Sequence, residues 1–404
     1  MLNKILVIAT YDSFLRSAIK LAERIYNFEI DIGILYVKDN QISIRQLQEA
    51  GAIKYNVFNI DRLLDKDYLQ YDIIILSVGN IAARNFIKKF YKEILQESVY
   101  LNNRPILISI FPGIILGNTD VILSRIDSDI ILANSKIDYD IINKISSLYA
   151  KDVKCINYGL INLDTNNKIK QSKIYRQGKE KNIYFIDQVR IPKTELERLY
   201  VLNKLIEFAD LNADKNIIIK SRIYAGEKTV HDNKYSYYVL IKKISRAIPS
   251  NIYFTSENIE DLYSKMDLCV SFSSTVILEA LYYKIPVAVI CDLGVIEEYA
   301  TQFFLESDLL ISFDDLILGK RVTASNVWLD ENLYFVNNRD WELNEAISNC
   351  ANQKDGYNKR INLFGGAFRF SSVDKTTRFK RKLKKFFKSP LLFFYDSKLV
   401  KFFR

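Results

Sequence analysis

The chain has 404 residues, of which 49% are hydrophobic, enough for two domains that each bury their own core. Its formal net charge is +9, yet residues 375–404 alone hold 11 basic residues and one acidic residue. The rest of the chain keeps 46 of the 57 basic and 47 of the 48 acidic residues and is nearly neutral, which argues against a nucleic-acid enzyme with a basic cleft.

The cysteines and the apolar runs narrow the class of protein further. The four cysteines are widely spaced and form neither a metal-binding nor a disulfide pattern, so we expect a reducing compartment. No apolar run approaches the roughly 18–20 residues of a membrane-spanning helix. The first apolar run, at residues 5–10, predicts a strand rather than a secretory signal.

Short apolar runs alternate with helical patterns in the first part of the chain. Helices are predicted over Ser13–Tyr26 and Ala82–Glu97. Because such alternation is typical of parallel strands joined by crossover helices, residues 1–165 are predicted to form a doubly wound, Rossmann-like α/β domain. The predicted strands are Lys4–Ala9, Ile30–Tyr36, Asp72–Ser77, Arg104–Ile110, Asp129–Ala133 and Val153–Asn157.

A polar stretch without apolar periodicity follows, and it predicts a linker over residues 166–181. The alternation then restarts and predicts a second Rossmann-like domain over residues 182–350, followed by a return segment and tail over residues 351–404. Its predicted helices are Lys193–Ala209, Ser236–Ile248 and Ser274–Tyr283. Its predicted strands are Asn182–Asp187, Asn216–Lys220, Asn251–Thr255, Asp267–Phe272, Pro286–Cys291 and Leu309–Ile311.

The ends of the predicted strands are where a ligand site is expected. Neither half has a G-x-G-x-x-G turn after its first strand or a Walker loop, so the sequence supports no dinucleotide fingerprint and no P-loop. Open α/β sheets bind ligands at the carboxyl ends of their strands, and two facing domains leave a central cleft there.

Two adjacent serines and a threonine follow a predicted strand in the stretch SFSSTVILEAL, residues 271–281. Ser273, Ser274 and Thr275 are predicted at the N-cap and first helical positions, where one serine would suffice as a cap. Three hydroxyls beside the N–H groups of a helix start favour a phosphate site over a cap alone. Glu279 is either a solvated residue or a carboxylate that accepts hydrogen bonds from ribose hydroxyls.

A second polar cluster, KSRIYAGEKTVH, begins at the end of another predicted strand. Lys220 and Arg222 are cations at that strand end, and His231 is the one histidine of the chain. A lone histidine is more often structural or exposed than catalytic, but cations and an imidazole near a helix start can stabilise a leaving phosphate. We therefore expect His231 to contact the ligand.

The third cluster lies on loops that follow strands of the first domain. Asp12 is either a helix cap or a general base that faces the cleft. Gly113, Gly117 and Arg125 lie on later loops and could shape an acceptor pocket, although the two glycines could equally be turn residues.

These three clusters together resemble bacterial glycosyltransferases of the GT-B type. The unit SFSSTVILEALYYKIPVAV is similar to their nucleotide-binding β-α-β unit, in which a loop of small residues receives the donor phosphate and a glutamate often meets the ribose. With YDSFLRSAIKLA and IIIKSRIYAGEKTVH, it looks most like transferases of surface-polysaccharide (capsule and lipopolysaccharide) gene clusters that are similar to CMP-sialate-using enzymes.

The resemblance implies roles for particular residues. Asp12 would be the base, and Ser273, Ser274 and His231 would contact the CMP phosphate. Lys220 and Arg222 would line the nucleotide site. His231 is followed by Asp232 where those enzymes have a His-Pro pair, and a UDP- or GDP-sugar donor stays open.

The tail mixes basic residues with phenylalanine and leucine over residues 378–404. A solubilising tail is rarely so rich in phenylalanine, whereas anionic lipid suits this mixture. RNA is the other candidate, because cations and aromatic rings also bind nucleotides. We predict attachment of residues 375–404 to an anionic membrane, with no nucleic-acid partner, and a cytoplasmic protein peripheral to the inner face of the cell membrane.

The leading hypothesis is an inverting glycosyltransferase that needs neither a metal nor a cofactor. It would move a sugar, best a sialic-acid-like nonulosonate from CMP, to a glycan or lipid-linked glycan acceptor. The alternatives are a UDP-sugar 2-epimerase-like enzyme and a non-catalytic nucleotide-sugar-binding assembly protein.

Overall fold

The structure is a computed structural model. It describes one residue of the predicted linker, Lys181. The predicted membrane-binding tail lies outside the described residues. The described residues are 3–35, 42–60, 68, 70–96, 104–111, 113, 115, 118–149, 153–163, 181–189, 191–221, 235–333 and 339–352.

The first domain is built on a parallel sheet of seven described strands in the order β3-β2-β1-β4-β5-β6-β7. The order reverses between β1 and β4, which places a switch point beside the loop that follows β1. The strands are β1 Asn3–Ala9, β2 Phe28–Leu35, β3 Asn56–Ile60, β4 Ile73–Ser77, β5 Ile106–Ser109, β6 Ile130–Ala133 and β7 Lys154–Asn157.

Helices cover the first sheet because their apolar residues recur at helical spacing. In the first of them, Leu15, Ala18, Ile19 and Ala22 are fully buried and pack on the sheet. The described helices of this part of the chain are α1 Asp12–Ala22, α2 Ile44–Glu49, α3 Asn80–Gln96, α4 Thr119–Leu123 and α5 Lys136–Leu148, with a short 3₁₀ helix at Ala52–Lys54.

The second domain repeats this design with six described parallel strands in the order β10-β9-β8-β11-β12-β13. Its order reverses between β8 and β11, so a second switch point lies beside the loops that follow these two strands. The strands are β8 Asn182–Ile186, β9 Asn216–Lys220, β10 Ile252–Thr255, β11 Leu268–Ser271, β12 Val287–Ile290 and β13 Leu310–Ile311.

The first helix of the second domain shows how the sequence sets an element boundary. Thr194 accepts from the backbone N–H of Glu197, and the Glu197 side chain accepts from the N–H of Thr194, which forms a capping box. The remaining helices are α6 Glu195–Leu211, α7 Tyr237–Leu240, α8 Ile259–Leu262, α9 Val276–Tyr282, α10 Phe313–Ile317, α11 Asn326–Asn332 and α12 Arg339–Asn352, with 3₁₀ helices at Ile241–Lys243, Glu297–Tyr299 and Thr301–Phe304.

The last described helix, α12, returns to the first domain. Leu343, Ala346 and Ile347 lie in the core beneath the first sheet. Arg339 donates to the carbonyls of Tyr158, Leu160 and Leu163 at 3.0–3.2 Å. The sequence prediction placed this helix in the second domain, which it ended at residue 350. Apolar residues at helical spacing show that a helix buries one face, but not which domain covers that face.

The predicted strands and the doubly wound fold of both halves are confirmed. The edge strand β3 was missed, because its residues are half-buried or exposed and lack a continuous apolar run. The helix predicted over Ser236–Ile248 ends much earlier, since the chain turns into a 3₁₀ helix and Ile244 is already extended. No helix among the described residues is long and apolar enough to cross a membrane.

Candidate functional site

A cleft of about 650 Å³ opens where the carboxyl ends of both sheets face one another. Its first wall comes from α1, α2 and the loops after β4 and β5, and its second wall from the loops after β8, β9, β10 and β11. Both switch points therefore face the same cleft. Eight of the predicted site residues line it: Asp12, Gly113, Arg125, Lys220, Ser273, Ser274, Thr275 and Glu279.

Three other predicted residues are not among the residues that the structure describes. Arg222 and His231 lie outside the described residues, as does Gly117. Lys220 is the last residue of β9, and its ammonium group donates a hydrogen bond to the carbonyl of Ser221 at 2.7 Å. The second predicted cluster is thus represented at the cleft by Lys220.

The serine loop connects β11 to α9, but its residues occupy different positions from those predicted. Thr275 is the N-cap, and Val276 is the first helical residue. Ser274 lies before the cap and accepts from the N–H of Val276 at 3.3 Å. Ser273 does not cap the helix, because its backbone N–H and its hydroxyl both form hydrogen bonds with the Gln188 side chain. Two serines are therefore placed on the cleft wall ahead of the helix.

Gln188 is a site residue that the sequence interpretation missed. Its Oε1 accepts from the Ser273 N–H at 3.0 Å and its Nε2 donates to the Ser273 hydroxyl at 3.3 Å. Oε1 also accepts from the Ser271 hydroxyl at 3.4 Å. Gln188 lies two residues after the end of β8, so the rule that found the other clusters, polar residues after a strand, could have found it too.

A buried ion pair holds the loop that carries Gln188. The Arg198 guanidinium is 3.2 Å from the Asp187 carboxylate, and both side chains are nearly inaccessible to solvent. Arg198 also donates to the carbonyls of Gln188, Val189 and Pro192 at 2.6–2.9 Å. Burial raises the pKa of Asp187, and the charge of Arg198 opposes that rise. The loop after β8 is thereby fixed against α6.

Glu279 is not a solvated residue, since it is 9% exposed. The Tyr263 hydroxyl donates to its carboxylate. Burial raises the pKa of Glu279, while the hydrogen bond from Tyr263 and the positive charge of Arg16 oppose the rise. Its place on the cleft wall favours the second of the two interpretations, a carboxylate that meets a ligand hydroxyl.

Asp12 faces the cleft as the first residue of α1. The N-cap is Tyr11, so Asp12 does not occupy the cap position. The amide of Gln46 donates to the Asp12 carboxylate at 3.4 Å. Oε1 of Gln46 accepts from the N–H of Ser43 at 3.0 Å, which turns the amide nitrogen toward Asp12.

Arg125 and Gly113 line the cleft from the first domain. Arg125 is 2% exposed and donates to Ser124 at 2.7 Å, to Asn80 at 3.2 Å and to two backbone carbonyls. Burial lowers the pKa of Arg125 to about 10. Much of its hydrogen-bonding capacity thus serves the loop after β4. A Cβ atom on Gly113 would lie 3.6 Å from the Thr275 methyl group, so the two walls meet closely there.

The cleft is lined by hydroxyls, amides, carboxylates and cations. Among the described residues, no group of His, Cys, Asp and Glu side chains could hold a metal ion. Hydroxyls and N–H groups can bind phosphate oxygens, and a carboxylate on the facing wall can accept a proton.

Comparison with solved structures shows what this fold is similar to. The putative UDP-N-acetylglucosamine 2-epimerase of Listeria monocytogenes has a TM-score of 0.50 at 12% identity, over 87% of this chain and 91% of that one. MurG of Acinetobacter baumannii gives 0.45 at 9% identity, over 86% and 99%, and a UDP-glucosyltransferase of Polygonum tinctorium gives 0.42 at 10%, over 96% and 99%. The fold is GT-B, as the sequence predicted.

A family model also matches most of the chain. The family described as "Putative glycosyltransferase (DUF6716)" matches residues 5–350. No curated protein matches. The matched range includes all strands of both sheets except the first two residues of β1, and every described residue of the cleft lining.

Proposed function

We propose that this chain, which belongs to the family described as "Putative glycosyltransferase (DUF6716)", transfers a sugar from a nucleotide-sugar donor to an acceptor in the same cleft. One observation carries the proposal. Residues suited to a donor phosphate and residues suited to acid–base chemistry lie on opposite walls of a single cleft at the two switch points.

The second-domain wall supports a donor site. The Ser274 oxygen accepts from the N–H of Val276, and the Ser273 oxygen accepts from the amide of Gln188, so each hydroxyl hydrogen can still point to a phosphate oxygen. Lys220 lines the same wall and adds positive charge. Glu279 would accept hydrogen bonds from the ribose.

The first-domain wall supplies the proposed base. Asp12 would take the proton of an acceptor hydroxyl as its oxygen bonds to the anomeric carbon. The bond from that carbon to the phosphate oxygen breaks in the same displacement, and the electron pair leaves with the nucleotide. The phosphate charge that develops would be stabilised by the serine hydroxyls and Lys220. A single displacement of this kind inverts the anomeric centre and needs no metal.

The donor is proposed to be a CMP-linked nonulosonate, on the resemblance of the motifs around Asp12, Lys220 and Ser273 to CMP-sialate-using enzymes. A UDP- or GDP-sugar is the alternative donor. The acceptor is proposed to be a surface glycan, of capsule or lipopolysaccharide, carried on a lipid. We further propose that residues 375–404, with 11 basic residues and one acidic residue, hold the protein at the inner face of the cell membrane.

A thermal-shift experiment with CMP, UDP and GDP tests the donor site. A ligand that binds the folded state alone stabilises it by about 2.7 kcal/mol at 100 times its Kd. We expect one of the three nucleotides to raise Tm far more than the others. Incubation with the matching nucleotide-sugar then separates transfer from epimerisation and from binding without turnover. No stabilisation by any of them would contradict the donor site.

A further inference from the structure

A cluster of charged side chains joins the two domains beside the cleft. Arg16 and Lys20, one turn apart on α1, both contact the carboxylate of Glu260 on α8. Arg16 also donates to the side chain of Asn258, just before α8, at 3.4 Å. One carboxylate of the second domain therefore binds two cations of the first.

The same face of α1 contacts the chain where it leaves the first domain. The Ser17 hydroxyl donates to the side chain of Asn162 at 3.2 Å, and the Lys20 ammonium donates to the Asn162 carbonyl at 3.4 Å. Asn162 follows β7 and precedes the predicted linker. The cluster thus ties together a helix of the first domain, the chain that leaves it, and the second domain.

The cluster is partly shielded from water. The side chains of Arg16, Lys20 and Glu260 are 19%, 25% and 38% exposed. Burial opposes ionisation of Glu260, but Arg16 and Lys20 outweigh it and lower its pKa. Glu260 therefore stays charged at neutral pH, and the contact is sensitive to salt only in part. Exposed ion pairs contribute little, whereas this one is partly buried and connects the two domains.

The position of this cluster on α1 gives it a consequence for the cleft. Asp12 precedes Arg16 by four residues, so both lie on one face of the helix, about 6 Å apart along its axis. Arg16 also lines the cleft, and it is close enough to Glu279 to influence its pKa. Any shift of α1 against α8 therefore moves Asp12 against the second-domain wall.

We propose that Glu260 is a positioning residue, which holds α1, and with it Asp12, at a fixed distance from the donor wall. The inference rests on the proposed function, in which Asp12 is the base and the donor lies on the serine loop. A base has to lie within hydrogen-bond reach of the proton that it removes, and a misplacement of about 1 Å can cost about 100-fold in rate.

A double-mutant cycle with Glu260→Gln and Lys20→Gln tests this role. Each substitution removes one charge of the contact and keeps a side chain of similar size. We expect each single variant to lower kcat about tenfold, less than the roughly 100-fold cost of a 1 Å misplacement, with donor affinity unchanged. The double variant should lose little more than Glu260→Gln alone, because both changes break the same contact.

A matched cycle controls for surface charge. Lys193 and Glu298 form an exposed ion pair within the second domain, and neither belongs to the described cleft lining. Lys193→Gln and Glu298→Gln should leave kcat and donor affinity as they are in the unchanged protein. Raising the salt concentration should lower kcat of the unchanged protein more than that of Glu260→Gln, since only the former has this contact to screen.

The outcomes separate the possible roles of Glu260. If Glu260→Gln weakens nucleotide binding while Lys20→Gln has no effect, Glu260 contacts the donor and the positioning role is overturned. Unchanged kcat in both single variants, or losses that add fully in the double variant, also overturn it. Asp12→Asn in parallel tests the underlying function. A large loss of kcat in Asp12→Asn together with a normal kcat in Glu260→Gln rejects only the positioning role. A fully active Asp12→Asn variant rejects the proposed base.

Discussion

The two walls of the cleft hold their polar groups in different ways. On the second-domain wall, Gln188 binds Ser273 twice, and the buried Arg198 fixes the Gln188 carbonyl at 2.6 Å. On the first-domain wall, Asp12 starts a helix and receives a longer hydrogen bond of 3.4 Å from Gln46. The groups of the second-domain wall, where we propose that the donor binds, are therefore held by other protein groups, whereas the position of the proposed base depends on where its helix lies.

Replacing Asp12 with Asn should give the largest effect. It removes the proposed base and leaves the second-domain wall unchanged, so kcat should fall by about 10²–10⁴-fold while nucleotide affinity holds. Steady-state kinetics and calorimetry measure the two quantities. Asp120→Asn, an exposed acid in the first turn of α4, is the matched control. Near-normal turnover of Asp12→Asn would assign the residue a structural role only.

Replacing Arg198 with Met should destabilise the loop after β8, which carries Gln188. The change leaves Asp187 buried without its cation, which costs roughly 3–5 kcal/mol of unfolding free energy. Arg246→Met removes the exposed pair with Asp210 and should cost about 0–1 kcal/mol. Chemical denaturation compares the two variants. Equal losses would show that the buried pair does not hold the loop.

The Arg198→Met variant should also acquire a pH dependence of known sign. Burial raises the pKa of Asp187, so the folded variant favours the protonated acid. Its unfolding free energy should then fall as pH rises above about 4, the ordinary range of an aspartate. Denaturation at several pH values measures the slope. A variant whose stability rises with pH relative to the unchanged protein would contradict this sign.

Removing the hydroxyls of Ser273 and Ser274 should weaken nucleotide binding without disturbing the fold of the second domain. Each lost hydrogen bond to a charged group costs roughly 1.5–3 kcal/mol of binding free energy. Ser264→Ala, an exposed serine of the same domain, is the control. Calorimetry with the stabilising nucleotide gives the comparison. Unchanged affinity in a folded double variant would exclude the serines as phosphate ligands.

Deleting residues 375–404 should have the smallest effect on the cleft. None of the described cleft-lining residues belongs to this segment, so nucleotide binding should persist. Binding to anionic vesicles should drop, because each Lys or Arg near such a surface contributes about 1 kcal/mol. Sedimentation with anionic and neutral vesicles measures it. Equal co-sedimentation of full-length and truncated protein would exclude the tail as the anchor, and binding of single-stranded RNA instead would favour the nucleic-acid alternative.

The sequence predicted the fold well because most of the parallel strands in both sheets are apolar runs. Residues such as Ile73–Ser77 are buried throughout, and no exposed alternation obscures the pattern. The edge strand β3 escaped for the opposite reason, since Asn56–Ile60 is only partly buried. The return of α12 escaped because a helical apolar face does not say which domain it covers.

The candidate site was predictable only where a polar residue lies at the end of a strand or a few residues beyond it. Asp12, Lys220 and the serine loop obey that rule, and the structure places them on one cleft. The contacts between distant segments were not predictable. The bond from Gln188 to Ser273 spans 85 residues, and the contact of Lys20 with Glu260 spans 240. No local pattern encodes such pairs, because each depends on how the two sheets are placed.

Hydrogen exchange with and without the stabilising nucleotide shows which wall of the cleft binds the nucleotide. We propose that the donor binds the second-domain wall, at Gln188, Lys220 and the loop from Phe272 to Thr275. Bound nucleotide should therefore protect amides at residues 186–191, 216–221 and 272–279, and change those of α1 far less. Protection confined to the first-domain wall, or absent from the serine loop at a saturating nucleotide concentration, would contradict a donor site on the second-domain wall.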